Sequence, residues 1–87
     1  MITIDVAAIR CFDKVFMLPK PNRHHNIIRD MFSKGIDAEV ISNGEQGFVT
    51  SDGVFVDRIT ALNIARSAGQ ILRETAPIHG LFSEDVW

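Results

Sequence analysis

Eighty-seven residues make one domain and leave no room for a second core. A hydrophobic share of 46% with six Phe supplies a packed core and excludes a disordered chain. A formal net charge of -2 gives no general attraction for the backbone of duplex DNA or RNA, and it is too small for a DNA mimic.

From the start of the chain, Met1 to Asp5 lack the basic segment and apolar run of a signal peptide. Ile2, Ile4, Val6 and Ala8 alternate with Thr3, Asp5 and Ala7, the period of a half-buried strand. Cys11 lies within this strand and is the single cysteine, so it forms no internal disulfide and fits a reducing compartment. Asp13-Lys14 separates the run from Val15-Phe16-Met17-Leu18, a hairpin partner across a turn that lacks the usual glycine. Pro19-Lys20-Pro21 stops that second strand.

Asn22 is the expected N-cap of a helix running to about Lys34, with Ile27, Ile28 and Met31 as its apolar stripe and Gly35 at its end. Two further strands are expected at Glu39–Ile41 and Gly47–Ser51, joined by Ser42-Asn43-Gly44. Asp52-Gly53, between Phe48-Val49-Thr50 and Val54-Phe55-Val56, signals a second hairpin. Asp57 then caps a helix from Arg58 to about Ala68, with Ile59, Ala61, Leu62 and Ala65 inward and Gly69 at its end. Residues 70–87 form a tail that Trp87 is expected to dock. The fold class is α+β: a small antiparallel sheet of four to five strands, in two hairpins, with two helices on one face. The whole chain, 1–87, is one domain.

Arg23-His24-His25 is the most informative cluster, because it opens a helix whose free N–H groups already make the local potential positive. Gathering cations there is unfavourable by about 0.3–1 kcal/mol per exposed charge. Such an arrangement fits an expected anion, since phosphate binds helix N-termini and arginine offers it a forked pair of donors. The plain alternative packs one histidine on the sheet and pairs Arg23 with a carboxylate. Adjacent helical histidines point ~100° apart, so His24 and His25 do not chelate one metal ion, with only His79 and Cys11 as further ligands.

Arg58 repeats the pattern at the second helix start, beside Asp57, whose plain role is the cap. Phe48 is either core or a platform for a base, where stacking is worth ~1–3 kcal/mol. Gly47 beside it permits close backbone approach. Ser83-Glu84-Asp85 is a capped helical start, or a set of acceptors for ribose hydroxyls or Arg23. No G-x-S-x-G, P-loop or G-x-G-x-x-G pattern occurs. Binding without turnover is therefore the expectation, with no cofactor.

Six blocks taken together carry a family resemblance. They are Leu18-Pro19, Arg23-His24-His25-x-Ile27-Ile28-Arg29, Gln46-Gly47-Phe48, Gly53-x-Phe55-Val56-Asp57-Arg58, Ala68-Gly69-Gln70 and Leu81-Phe82-Ser83-Glu84-Asp85-Val86-Trp87. The chain resembles small phage and prophage proteins of the anti-Thoeris sponge family, Thoeris anti-defence one. That resemblance implies a non-enzymatic protein that sequesters cyclic ADP-ribose isomers made by a bacterial immune sensor. Some members also take cyclic oligonucleotides at separate sites, and they assemble as dimers or higher oligomers. By the matching blocks, Arg23 and Arg58 would meet phosphate and Phe48 would stack on adenine. Gln70, Glu84 and Asp85 would address ribose or orient the arginines. Val54 and Thr60 depart from the pattern, standing where a basic and an acidic residue are usual.

The expected partner is thus a cyclic nucleotide, with no nucleic-acid duplex and no membrane, in a homo-oligomer in the cytoplasm. A chain of this length buries about 60–65% of its unfolded surface, so association would add to its stability. Two other classes compete. In one, a protein–protein inhibitor of a host defence complex uses the Phe-rich surface and the tail. In the other, a small hydrolase of nucleotide signals uses His24 or His25.

Overall fold

A computed structural model describes residues 1–71, 80–81 and 86–87. Among the described residues, four strands and three helices run in the order β1 (Ile4–Cys11), β2 (Lys14–Met17), α1 (His24–Ser33), α2 (Ala38–Ser42), β3 (Glu45–Thr50), β4 (Phe55–Asp57) and α3 (Arg58–Ser67). The sheet order is β2-β1-β3-β4, and each neighbouring pair is antiparallel. The fold is α+β, as the alternation of strand and helix patterns implies.

β1 begins two residues later than its expected run and does not keep one parity. Its register against β3 slips between Ile4, opposite Thr50, and Val6, opposite Val49. One extra residue in β1 at that point is a β-bulge, which exchanges the two faces of the strand beyond it. Ile4 therefore shares the helix side with Ala7, Ile9 and Cys11, all in one buried cluster. Of the expected inward set Ile2, Ile4, Val6, Ala8, only Ile4 joins that cluster: Ile2 is exposed ahead of β1, and Val6 and Ala8 lie past the bulge. Ala8 is buried as well, but on the opposite face of the sheet, across from Met17 and Gly47.

Helix α1 begins one residue later than expected. Asn22 donates from its side chain to the Pro19 carbonyl at 2.7 Å, so it closes the preceding turn and Arg23 becomes the N-cap. The Asn26 side chain accepts from the Arg23 N–H at 2.9 Å, half of a capping box. At the other end, Gly35 N–H bonds Phe32 O at 3.0 Å and Ile36 N–H bonds Met31 O at 3.1 Å. Gly35, at φ 80, thus completes a Schellman end.

The strand expected at Glu39–Ile41 is a single helical turn instead. Its β-branched pair, Val40-Ile41, gives a strand signal that one capping residue overrides. The Asp37 carboxylate accepts from Glu39 N–H at 2.8 Å, and Ile41 N–H bonds Asp37 O at 3.1 Å. The turn presents Ile41 to the core. β3 and β4 follow as the expected hairpin, and α3 runs from its Asp57 cap to Ala68. Ala61, Leu62 and Ala65 face inward, but Ile59 is 62% exposed. It lies about 200° around the helix from Ala61, and so off the buried stripe.

All three helices cover one face. Ile27 and Met31 of α1, Ile41 of α2, and Ala61, Leu62 and Ala65 of α3 meet the inner residues of β1 and Phe48 of β3. Leu81 joins this cluster fully buried. Among the described residues, no helix is long and apolar enough to cross a membrane.

Candidate functional site

The starts of α1 and α3 converge on the first half of β3. From α1, His24 is buried and its Nε2–H donates to the Gly47 carbonyl at 2.8 Å. A carbonyl only accepts, so that nitrogen carries the proton. From α3, Arg58 Nη2 donates to Oε1 of Gln46, the neighbouring residue on β3. Neither helix has an acidic residue in its first turn; at α3 the Asp57 carboxylate supplies negative charge from the cap position instead.

The tail meets both starts. Leu81 N–H bonds the Arg58 carbonyl at 2.9 Å, and a side chain at Gly80 would come within 2.6 Å of Arg58 Cβ. At α1, Arg23 Nη2 donates to the main-chain oxygen of Trp87 at 2.6 Å, and Trp87 Nε1 donates to Asn22 O at 3.1 Å. The Trp87 ring is edge-on to Phe48 at 6.1 Å, and Phe48 is edge-on to His24 at 5.2 Å. The Lys20 ammonium lies 5.5 Å from the Trp87 ring centre, a cation–π contact. Arg23 keeps one further donor, Nε, buried and without a hydrogen-bond partner among the described residues.

Four expected site residues therefore gather here: Arg23, His24, Phe48 and Arg58. Their roles differ from expectation in one respect. Phe48 is 0% exposed and belongs to the core, so its ring has no face for an adenine. The half-buried Trp87 is the aromatic ring that borders both the site and solvent. Gly47 does allow a close approach, but by the protein itself. A Cβ there would overlap the Val56 carbonyl oxygen and lie 2.6 Å from the Phe55 ring.

Two further residues are committed to structure. Asp57 is exposed and accepts from Thr60 N–H at 2.8 Å. That hydrogen bond holds its carboxyl below the usual carboxylate range, with help from the Thr60 hydroxyl. Gln70 clips the start of β1, its Oε1 accepting from Ile4 N–H at 2.7 Å and its Nε2 donating to Ile4 O at 2.9 Å. Both halves of its amide are engaged there. Glu84 and Asp85 lie outside the described residues, as does His79. His25 is exposed on α1. Among the described residues, no group of three His, Cys, Asp or Glu side chains could hold a metal ion.

Gln46 and Lys20 were not singled out as site residues from the sequence. For Gln46 a signal existed: it stands two positions before Phe48 on one strand, so the strand period puts both on the helix-covered face. Lys20 had none, because its approach to Trp87 depends on a contact across most of the chain.

A family model described as phage T4 y16D protein matches residues 3–87. No curated protein and no protein of solved structure matches the chain.

Proposed function

The chain belongs to the phage T4 y16D protein family, and from that premise we propose that it is an anti-defence protein that binds and sequesters a cyclic nucleotide immune signal. The ligand class is a cyclic ADP-ribose isomer or a cyclic oligonucleotide, held without cleavage. One observation carries this reading: two helix starts, each bearing an arginine, reach consecutive residues of β3. Helix N-termini and arginines both favour phosphate, so a shared anion would relieve the positive potential that their approach creates. The buried Nε of Arg23 adds a donor without a partner among the described residues at the start of α1. In this reading Arg23 and Arg58 hold phosphate. Trp87 supplies the base contact first assigned to Phe48, and His24 holds β3 in place through Gly47.

Isothermal titration against cyclic ADP-ribose isomers, cyclic dinucleotides and cyclic trinucleotides tests it, with chromatography of the recovered ligand. Binding of at least one, with the ligand recovered intact, is the expected result. Arg23→Ala should weaken it roughly ten- to hundredfold, the worth of a charge-assisted hydrogen bond. Absence of heat with every ligand sinks the proposal, and recovery of a cleaved product turns it into the hydrolase reading.

A second reading, inhibition of a host protein complex, draws on the sheet face opposite the helices. There Val6, Met17, Leu18, Pro19 and Val49 line an open hollow of ≈ 440 Å³. Capture of one host protein from lysate, lost on Met17→Asp while nucleotide titrations stay silent, would favour it.

A further inference from the structure

Two consecutive residues of β3 each hold an arginine, and they do so with different chemistry. Glu45 stands opposite Arg10 of β1 and forms an ion pair with it. Gln46 stands opposite Ile9, a core residue, so strand alternation turns it to the helix-covered face with Phe48. There its amide oxygen accepts from Arg58 Nη2. A carboxylate holds a guanidinium more strongly than an amide does, because both partners of the bond are then charged. Position 46 therefore carries the weaker holder of the two, although glutamate has the same length and branching as glutamine.

The stem of Arg58 is fixed by other means. Its carbonyl accepts from Leu81 N–H at 2.9 Å, and a Cβ at Gly80 would come within 2.6 Å of Arg58 Cβ. The tail thus sets where the side chain starts, and the half-buried Gln46 sets where its head points. An amide does this without changing the charge of its surroundings. Glutamate at 46 would lay one negative charge against the guanidinium and repel any anion seated beside it.

We propose that Gln46 is the positioning residue of the anion site, aiming the Arg58 guanidinium through a neutral acceptor that adds no negative charge. This role rests on the nucleotide reading above, in which Arg58 holds phosphate. It gives a physical reason for the weaker acceptor: strength of hold is given up so that the site keeps its attraction for an anion.

Two substitutions separate aim from charge. Gln46→Met keeps the length and removes the acceptor, whereas Gln46→Glu keeps an acceptor and adds a charge. The variants are compared by thermal melts, by NMR of arginine side-chain rotation in the free protein, and by titration with cyclic ADP-ribose isomers, cyclic dinucleotides and cyclic trinucleotides. The Arg58 guanidinium should rotate faster in Gln46→Met than in the wild type. That variant should bind nucleotide roughly three- to tenfold more weakly, the worth of one hydrogen bond. Gln46→Glu should melt at or above the wild-type temperature and yet bind at least about tenfold more weakly, with a deficit that shrinks as salt is raised.

A purely structural residue would make affinity follow stability. A Gln46→Glu protein that binds as well as the wild type therefore overturns the role and leaves the nucleotide reading standing. Unchanged Arg58 rotation in Gln46→Met overturns it too, and that readout stands whether or not Gln46→Glu folds. A wild type that binds none of these ligands sinks the nucleotide reading and this role together, which tells the two failures apart.

Discussion

The side-chain amide of Gln70 satisfies both main-chain groups of Ile4, a residue with no exposed surface. Cutting the amide back strands a donor and an acceptor at the start of β1. Gln70→Ala should therefore cost about 1–3 kcal/mol in chemical denaturation, with any nucleotide affinity unchanged in the protein that remains folded. Loss of affinity without loss of stability would return Gln70 to the ribose role that the family resemblance implies. Gly47→Ala should also destabilise, by about 1–3 kcal/mol, since the added methyl meets the Val56 carbonyl and the Phe55 ring. Backbone carbonyls yield little, so the strain falls on the β3–β4 pairing that also seats His24 and Arg58 through Gly47 and Gln46.

Asp57 makes a third residue-scale case, through pH. The Thr60 N–H stabilises its ionised form in the folded protein and holds its pKa below the ordinary value. Its contribution is then fully present above the unfolded value and is lost as pH falls through the lowered native one. Melting temperatures recorded from pH ~6 down to pH ~2, spanning the carboxylate range, should fall more steeply for the wild type than for Asp57→Asn. Asparagine keeps the cap but has no proton to gain. Parallel curves would show that the carboxylate contributes nothing to the acid limb.

At the scale of elements, what the sequence revealed was period, and what it hid was anything that breaks period. Helices α1 and α3 were legible because their apolar stripes and glycine ends agree with each other. Gly69 N–H to Arg66 O at 3.1 Å and Gln70 N–H to Ala65 O at 2.9 Å repeat at α3 the closure seen at Gly35. The bulge in β1 was not legible, because a one-residue slip is set by pairing with β3 and leaves no mark on the strand itself. The sequence reading made α2 a strand because the β-branched pair Val40-Ile41 dominates a segment of only five residues, whose helical cap is Asp37. That weighting has a consequence. Asp37→Ala should remove about 0.5–2 kcal/mol and loosen the turn that carries Val40 beside a hollow lined by Cys11. Hydrogen exchange at Ile41 and Asn43, whose N–H groups bond back into this turn, should accelerate before the rest of the fold does. Unchanged protection there would mean that Ile41 packing alone holds α2.

The candidate site was legible in its charges and not in its aromatics, and the reason is a whole-molecule one. Arginine and histidine at helix starts are local facts. Whether Phe48 faces a ligand or the core depends on Trp87 and Leu81 arriving from the far end of the chain to cover the sheet. The same arrival links the two helix starts, Leu81 at Arg58 and Trp87 at Arg23. A ligand seated between them would therefore touch one cooperative unit and not two independent side chains. This gives the nucleotide proposal its most discriminating prediction. Residues that share one ligand group couple by about 0.5–3 kcal/mol, whereas distant independent sites add within a few tenths. In a double-mutant cycle on nucleotide affinity, Arg23→Ala and Arg58→Ala should together cost clearly less than the sum of their separate effects, because either loss already releases the shared phosphate. Lysine at both positions keeps charge but loses the fork, so that double variant should regain part of the affinity and of its salt dependence. Strict additivity would mean that the two arginines serve different groups, and the convergence at β3 would then be architecture alone.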